Sequence, residues 1–319
     1  MCIVGAGAIG GWIGTRLAAT GAADVSAIAR GATLAALDTH GWRLEEHGEL
    51  IAAPARVAAS PADLGEQDVV VLAVKATSLG SALDLVAPLC GAETAVVPFM
   101  NGVPWWFAPD LTLDSVDPGG QIAAAVPYER VIGGVVHASC ASIEPGLVRH
   151  ATGNGLIVGE PAGGPSARVA ALGDVLRSAG FEVTESPDVR RDVWYKLWGN
   201  MTMNPVTALT GATGDLVLGD PLVRELCSTA MREAQEIGAR IGCPIAETPE
   251  DRHAITSRLG ALRTSMLLDV EAGRPIELDA LIGSVHELGR RLDVPTPAID
   301  ALFGLTRLFG RVQGLYPSS

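Results

Sequence analysis

The chain lacks any uninterrupted apolar run near the roughly 20 residues a helix needs to span a bilayer, so a soluble globular protein is expected. It also lacks a charged leader followed by an apolar stretch and a small-residue cleavage site, because a glycine-rich motif begins at Gly5. Export is therefore not expected, and the cytoplasm is the expected compartment. The five cysteines, Cys2, Cys90, Cys140, Cys227 and Cys243, are odd in number and widely spaced, with no C-x-x-C and no neighbouring histidine pair. No metal site is expected from them, and buried apolar thiols are. Positive charge is scarce, with 23 Lys and Arg against 36 Asp and Glu and a formal net charge of −13. Nucleic acid and anionic membranes need clustered Lys and Arg, so neither is an expected partner. A phosphate-bearing ligand must find local positive charge.

What is present points to two domains. The 319 residues suffice for two cores, and 48% hydrophobic against 18% charged residues excludes a disordered or collagen-like chain. Short β-branched runs, CIV, VSAIA (25–29), DVVVLAVKA (68–76) and TAVVPF (94–99), alternate with helical segments, which predicts βαβ units and a parallel sheet covered on both faces. Between 130 and 159 the runs VIGGVVHAS, GLVRHA and GLIVGE are expected to be antiparallel strands closing the same sheet. After FEVTES (181–186) strand signals stop. Helical periodicity takes over, as in PLVRELCSTAMREAQEIGARIG, where Leu222, Leu226, Ala230, Ala234 and Ile237 fall on one stripe. The fold class is α/β, an N-terminal Rossmann-type parallel-sheet domain at 1–187 followed by an all-helical C-terminal domain at 188–319. A homodimer is the base-rate expectation for such a chain.

Residues 5–10, GAGAIG, satisfy G-x-G-x-x-G directly after a strand and before a helix. In that setting Gly5 permits the tight turn, Gly7 admits a pyrophosphate, and Gly10 lets helix and strand pack. Ala8 and Ile9 open the helix whose N-terminus supplies N–H groups and positive dipole. Four residues ahead of the motif make a short first strand, so the true start is expected somewhat upstream. The second strand ends in Arg30 rather than in a carboxylate. A guanidinium there would grip a ribose 2′-phosphate, which favours NADPH; the alternative is a solvated loop arginine. Lys75 and Asn101 also stand at C-terminal strand ends, where an open α/β sheet presents its ligand crevice, so they are candidate cofactor and substrate contacts.

In KLWGNMTMN (196–204), Lys196, Asn200 and Asn204 recur every four residues within an otherwise apolar segment. On a helix this spacing makes one narrow polar stripe, either a functional face or a solvated one. Pro205 is expected to end or kink the helix just after Asn204. In TSMLLDVEAGRPIELD (264–279), Ser265 and Asp269 share a helical face, and Glu277 and Asp279 open the next helix, where the dipole alone explains acidic residues.

GAGAIGG at the start, AVKA at 73–76, MNGV at 100–103, WYKLWGNMTMNPVTALTG and SMLLDVEAGRPIELD together resemble the ketopantoate reductases, or 2-dehydropantoate 2-reductases, over nearly the whole chain. The resemblance implies a Rossmann domain followed by a helical one, with the active site in the cleft between them. It implies that Lys196 is the general acid, with a pKa lowered by a partly dry setting, that protonates the substrate's ketone oxygen as hydride arrives from NADPH. Glu277 would orient Lys196 and hydrogen-bond the new hydroxyl. Asn200, Asn204 and Ser265 would hold the substrate, Asn101 would position substrate and nicotinamide, and Lys75 would join Arg30 in the cofactor site. The expected reaction reduces a small oxo acid, 2-dehydropantoate to (R)-pantoate first. The alternatives are a different oxo acid or opine-like substrate, and a non-catalytic NADPH-binding sensor. The departure from the family pattern is the turn-rich stretch 104–127, where Trp105, Trp106 and Phe107 either cover a larger or more apolar substrate or pack at the domain interface.

Overall fold

In the computed structural model, which describes residues 1–317, the branched apolar runs form short parallel strands and the segments between them form helices. Before residue 100 the order is β1 (Cys2–Val4), α1 (Ala8–Thr20), β2 (Ser26–Ile28), α2 (Gly31–His40), β3 (Trp42–Glu46), β4 (Glu49–Ala53), β5 (Arg56–Ala58), β6 (Gln67–Leu72), α3 (Ala76–Val86) and β7 (Cys90–Pro98). After residue 120 come α4 (Gln121–Ala125), β8 (Gly133–Glu144), β9 (Leu147–Gly159), α5 (Ala167–Ser178) and β10 (Glu182–Glu185). The rest is helical: α6 (Val189–Thr210), α7 (Gly214–Gly219), α8 (Pro221–Arg240), α9 (Pro249–Ser257), α10 (Ser265–Glu271), α11 (Ser284–Arg291) and α12 (Pro297–Val312). Among the described residues no helix is long and apolar enough to cross a membrane.

The chain divides into two compact units, Met1–Met100 with Gly120–Asp192, and Asn101–Gly119 with Val193–Ser319. Where the sequence suggests one break near 187, this division falls after Asp192 and groups the segment Asn101–Gly119 with the helices.

In the first unit, β5, β2, β1, β6 and β7 form a parallel sheet in that order. Ile3 pairs with Ala27 on one side and Val71 on the other, and all three are fully buried, as continuous apolar strands require. The strands after residue 130 do not close this sheet, contrary to expectation. β8 and β9 form a long antiparallel hairpin, and β9 pairs in parallel with β3 and β10, giving a second sheet; an isolated parallel bridge, Val96–Val131, links β7 to the residues just ahead of β8. Its other partner is the β3–β4 hairpin, whose turn residues His47 and Gly48 both have positive φ, the geometry that matches strand twist in a two-residue loop.

Helix α1 packs against both sheets, and its glycines make that approach possible. A Cβ on Gly14 would lie 2.5 Å from the Trp42 ring, and one on Gly11 would lie 2.6 Å from Val148. Trp12, on the same helix, stacks on His150 at 5.3 Å and meets Phe181 edge-on at 4.8 Å. Glu46, beneath them, accepts from Arg16 and lies 2.7 Å from His150 Nδ1.

The second unit is built around α6 and α8. Trp198 donates its Nε1–H to the Met231 carbonyl at 2.8 Å, tying the two helices. The stripe predicted on α8 holds for Ala230, Ala234 and Ile237, which are fully buried, but Leu222 is 82% exposed because the helix only enters the core after its first turn. Helix α6 does not end at Asn204; it runs through Pro205 to Thr210. Burial of Met201, Val206 and Ala208 offsets the backbone hydrogen bond that Pro205 cannot donate. Cys2, Cys227 and Cys243 are buried as expected, whereas Cys90 and Cys140 are only partly so, and none of the five is in a disulfide among the described residues.

The N-terminus of α12 is closed by a carboxylate from another helix. Glu233 of α8 accepts from the backbone N–H groups of Ala298 and Ile299, both at 2.9 Å. Replacing Glu233 with Ala leaves two partly buried donors unpaired at the positive end of a helix dipole. The expected loss is about 1–2 kcal/mol, read as a lower denaturant midpoint at unchanged m-value.

Candidate functional site

The first unit presents a groove of about 500 Å³ at the C-terminal ends of β1 and β2, lined by Gly5, Ala6, Gly7, Arg30, Thr33 and Ser78 among others. The three motif glycines have separable reasons. Gly5 has φ +99°, and a Cβ on Gly10 would sit 2.1 Å from the Gly5 carbonyl oxygen, so the turn and the first helical residues could not close. A Cβ on Gly7 would meet nothing within 4 Å, which leaves open space at the N-terminus of α1 where a pyrophosphate would approach. Ala8 and Ile9 begin α1 behind that turn. Arg30 is exposed at the cap position of α2, lines the groove and makes no ion pair among the described residues. Lys75 holds the same cap position on α3, next to Val74 in the groove wall.

Sequence reasoning missed part of this wall. Ser142, Glu144, Pro145 and Gly146, from the β8–β9 turn, close one side of the groove. The Glu144 carboxylate is held by Arg43 at 3.0 Å, which offsets its charge in a site that would take phosphates. No signal in the sequence joins residue 144 to residue 30; only the pairing of the two hairpins does. These residues fit a dinucleotide: an open glycine turn, a helix N-terminus and an unpaired cation.

The second unit brings together Lys196, Asn101 and Glu277. Lys196 Nζ donates to Asn101 Oδ1 at 2.8 Å. Burial drives the Lys196 pKa down from its ordinary value to about 8, and the negative charge of Glu277, itself 9% exposed, opposes that fall. Asn101 and Glu277 are positioned by one element. The chain just after Glu277 makes a π-type turn, Asp279–Gly283, and the Ala280 carbonyl there accepts the Val103 N–H at 2.8 Å. Gly102 fits against that carbonyl with φ +84°, so the glycine after Asn101 has a backbone reason.

Asn200 is half-buried on the stripe that carries Lys196, and Asn204, one turn further, is 4% exposed with its Nδ2 shielded from solvent and unbonded. Ser265 is solvent-exposed at the first position of α10, and Thr264, not Ser265, caps that helix. The Thr264 hydroxyl also lies 2.6 Å from that of Thr207 in α6, which brings the start of α10 to the last turns of the asparagine-bearing helix. Glu277 lies just outside the helix it was expected to open.

The stretch after Asn101 packs internally. Trp105, Trp106 and Phe107 are 8%, 2% and 0% exposed, and Phe107 stacks on Trp194 at 5.9 Å. Further along, the backbone N–H groups of Asp114 and Ser115 donate to the Glu287 carboxylate at 3.0 and 2.9 Å, fastening the segment to α11.

Comparison with known proteins gives matches along the whole chain. Residues 1–163 match the family model described as ketopantoate reductase PanE/ApbA, and residues 188–309 match its C-terminal counterpart. A 2-dehydropantoate 2-reductase of Mesorhizobium japonicum is 45% identical, with 98% of each chain covered, and one of Halobacterium salinarum is 28% identical over 80% of each. Among solved structures, a Ralstonia solanacearum protein described as a candidate ketopantoate reductase is 53% identical, with a TM-score of 0.95 over 99% of this chain and 98% of that one. A Geobacter metallireducens 2-dehydropantoate 2-reductase is 25% identical, with a TM-score of 0.86 over 97% and 100%.

Gly102→Ala tests the placement of Asn101. A Cβ there would lie 2.3 Å from the Ala280 carbonyl oxygen, and the positive φ adds strain. The expected cost is about 2 kcal/mol or more, measured by chemical denaturation.

Proposed function

The chain belongs to the ketopantoate reductase family and is an oxidoreductase, and on that premise we propose that it reduces a 2-oxo acid to the 2-hydroxy acid with NADPH, 2-dehydropantoate to (R)-pantoate being the first candidate. That product would feed pantothenate and coenzyme A synthesis. The observation that carries the reading is the Lys196 ammonium, 2.8 Å from Asn101 and brought to a pKa of about 8 beside Glu277. A proton donor works best when its pKa lies near the working pH.

The glycine turn, Arg30 and Lys75 would hold the cofactor, whose reduced nicotinamide, when bound, supplies the hydride. Lys196 keeps its proton at Nζ, where it stabilises the negative charge building on the ketone oxygen and then passes to that oxygen. The neutral amine left behind is reprotonated from solvent. Asn101 fixes the direction of the ammonium by accepting one of its three N–H bonds. Glu277 keeps the lysine charged in a dry setting and would receive the hydroxyl formed from the ketone. Asn200 and Asn204 offer amides to the substrate's polar groups, the shielded Nδ2 of Asn204 being a donor still without an acceptor, with Ser265 as a further hydroxyl. The burial of Trp105, Trp106 and Phe107 supports the smaller substrate over a bulkier one.

Steady-state reduction of 2-dehydropantoate across pH checks the proton donor. Because the protonated lysine is the active form, kcat/KM should be flat below about pH 8 and fall above it. Glu277→Gln removes the charge that raises the Lys196 pKa, so the limb should move to lower pH. Lys196→Ala should lose about 100-fold or more in rate while still binding NADPH. Full rate in that variant would remove Lys196 as the proton donor, whereas NADPH binding with no turnover of any 2-oxo acid by the parent protein would favour a cofactor-binding sensor instead.

Cofactor choice has a separate check in Arg30→Ala. The ratio of NADPH to NADH affinity should fall by about tenfold or more, the size of a lost charge-assisted contact, with NADH affinity itself little changed.

A further inference from the structure

A second cation packs on the helix that carries Lys196, and among the described residues no carboxylate pairs with it. Arg252, in α9, lies across Gly199 of α6, so that a Cβ on that glycine would come within 2.8 Å of its Nη2 and 2.9 Å of its Nε. The guanidinium sits 5.3 Å from the centre of the Tyr195 ring. Its Nε is shielded from solvent and has no hydrogen-bond partner, and the group forms no ion pair among the described residues. The adjacent carboxylate, Asp251, is turned back to cap α9, accepting from the Thr248 backbone N–H at 2.9 Å and from its hydroxyl at 2.7 Å. Burial lowers the Arg252 pKa, the sign expected of a cation without a counter-charge.

Burying a guanidinium whose Nε–H has no acceptor is costly unless an anion completes it, and a carboxylate matches the fork in two parallel hydrogen bonds. The position is as informative as the charge. Tyr195 and Gly199, which Arg252 covers, bracket Lys196 on α6, and Asn200 follows directly. Residues three apart on a helix have Cβ atoms about 5–6 Å apart, so the ground beneath the guanidinium lies within one helical turn of the root of Lys196. In a 2-oxo acid the carboxylate is bonded to the ketone carbon, and two cations one turn apart suit that pairing better than a substrate whose acid group is remote.

We infer that Arg252 is the anchor for the substrate carboxylate, held against α6 by Tyr195 and by the missing side chain of Gly199. The inference rests on the oxo-acid reading given above. It accounts for Gly199, which has no turn to make in mid-helix, as the residue whose small size lets the guanidinium lie flat on the helix.

The test compares 2-dehydropantoate with its neutral carboxamide as substrates for the parent protein, Arg252→Gln and Gly199→Ala. Gly199→Ala keeps the arginine but pushes it aside, and alanine is the better helix former, so this variant stays informative if Arg252→Gln does not fold. In both variants KM for the acid should rise about tenfold or more, with kcat within about threefold, the pH limb unmoved and turnover of the carboxamide unchanged. A parallel loss for acid and carboxamide, or an unchanged KM for the acid, overturns the anchor. Calorimetric titration with 2-dehydropantoate separates this from the function itself. Binding that depends on Arg252 in a protein that reduces no oxo acid would keep the anchor and remove the reductase reading, whereas reduction with Arg252-independent binding would do the reverse.

Discussion

An ammonium group taken out of water must be compensated or it loses its proton, and the helical unit is organised around a compromise between those outcomes. Burial alone would carry Lys196 further from its ordinary pKa; the charge of Glu277 opposes the drift, and the value comes to about 8. Asn101 then converts a tolerated charge into a directed one, because a single accepted hydrogen bond fixes where the remaining N–H bonds point. Much else in the unit serves this pair. The π-type turn after Glu277 receives the backbone that follows Asn101, and Gly102 has the one kind of backbone that fits there. The buried aromatics at 105–107 and the Glu287 clasp on Asp114 and Ser115 hold the rest of that strip of chain in place.

Electrostatics of opposite sign governs the other unit. A protein with a net charge of −13 has to gather its positive potential locally if it is to hold a phosphate. Here the backbone provides much of it, through the N-termini of α1, α2 and α3 at the tips of parallel strands, with Arg30 as the side-chain supplement. The β8–β9 turn brings Glu144 to the same groove, and Arg43 keeps that carboxylate occupied.

Legibility followed the range of the forces involved. The glycine motif and the parallel strands were readable because turn chemistry and apolar runs are local. The second sheet was not, since β3 pairs with β9 across about a hundred residues and His47–Gly48 is a quiet hairpin signal. The stop expected at Pro205 failed because core packing on both sides of it outweighed one missing hydrogen bond. The spacing of Lys196, Asn200 and Asn204 was visible, but not the contact of Lys196 with a residue 95 positions earlier. Arg252 gave no signal at all; an arginine in an ordinary amphipathic helix becomes notable only when its Nε is seen to be shielded from solvent with no partner among the described residues.

The allotment of Asn101–Gly119 to the helical unit has a consequence for how such a protein can be divided or inherited. The polypeptide enters that unit, leaves it, and enters again, so no single cut separates two self-sufficient pieces. A gene fragment starting near residue 188 would encode the lysine without the asparagine that aims it, and one ending there would carry the asparagine with nothing to aim. Fusion of a ready-made nucleotide-binding module to a ready-made helical one could not have produced this arrangement in one step; the two units have to be exchanged, duplicated or redesigned together.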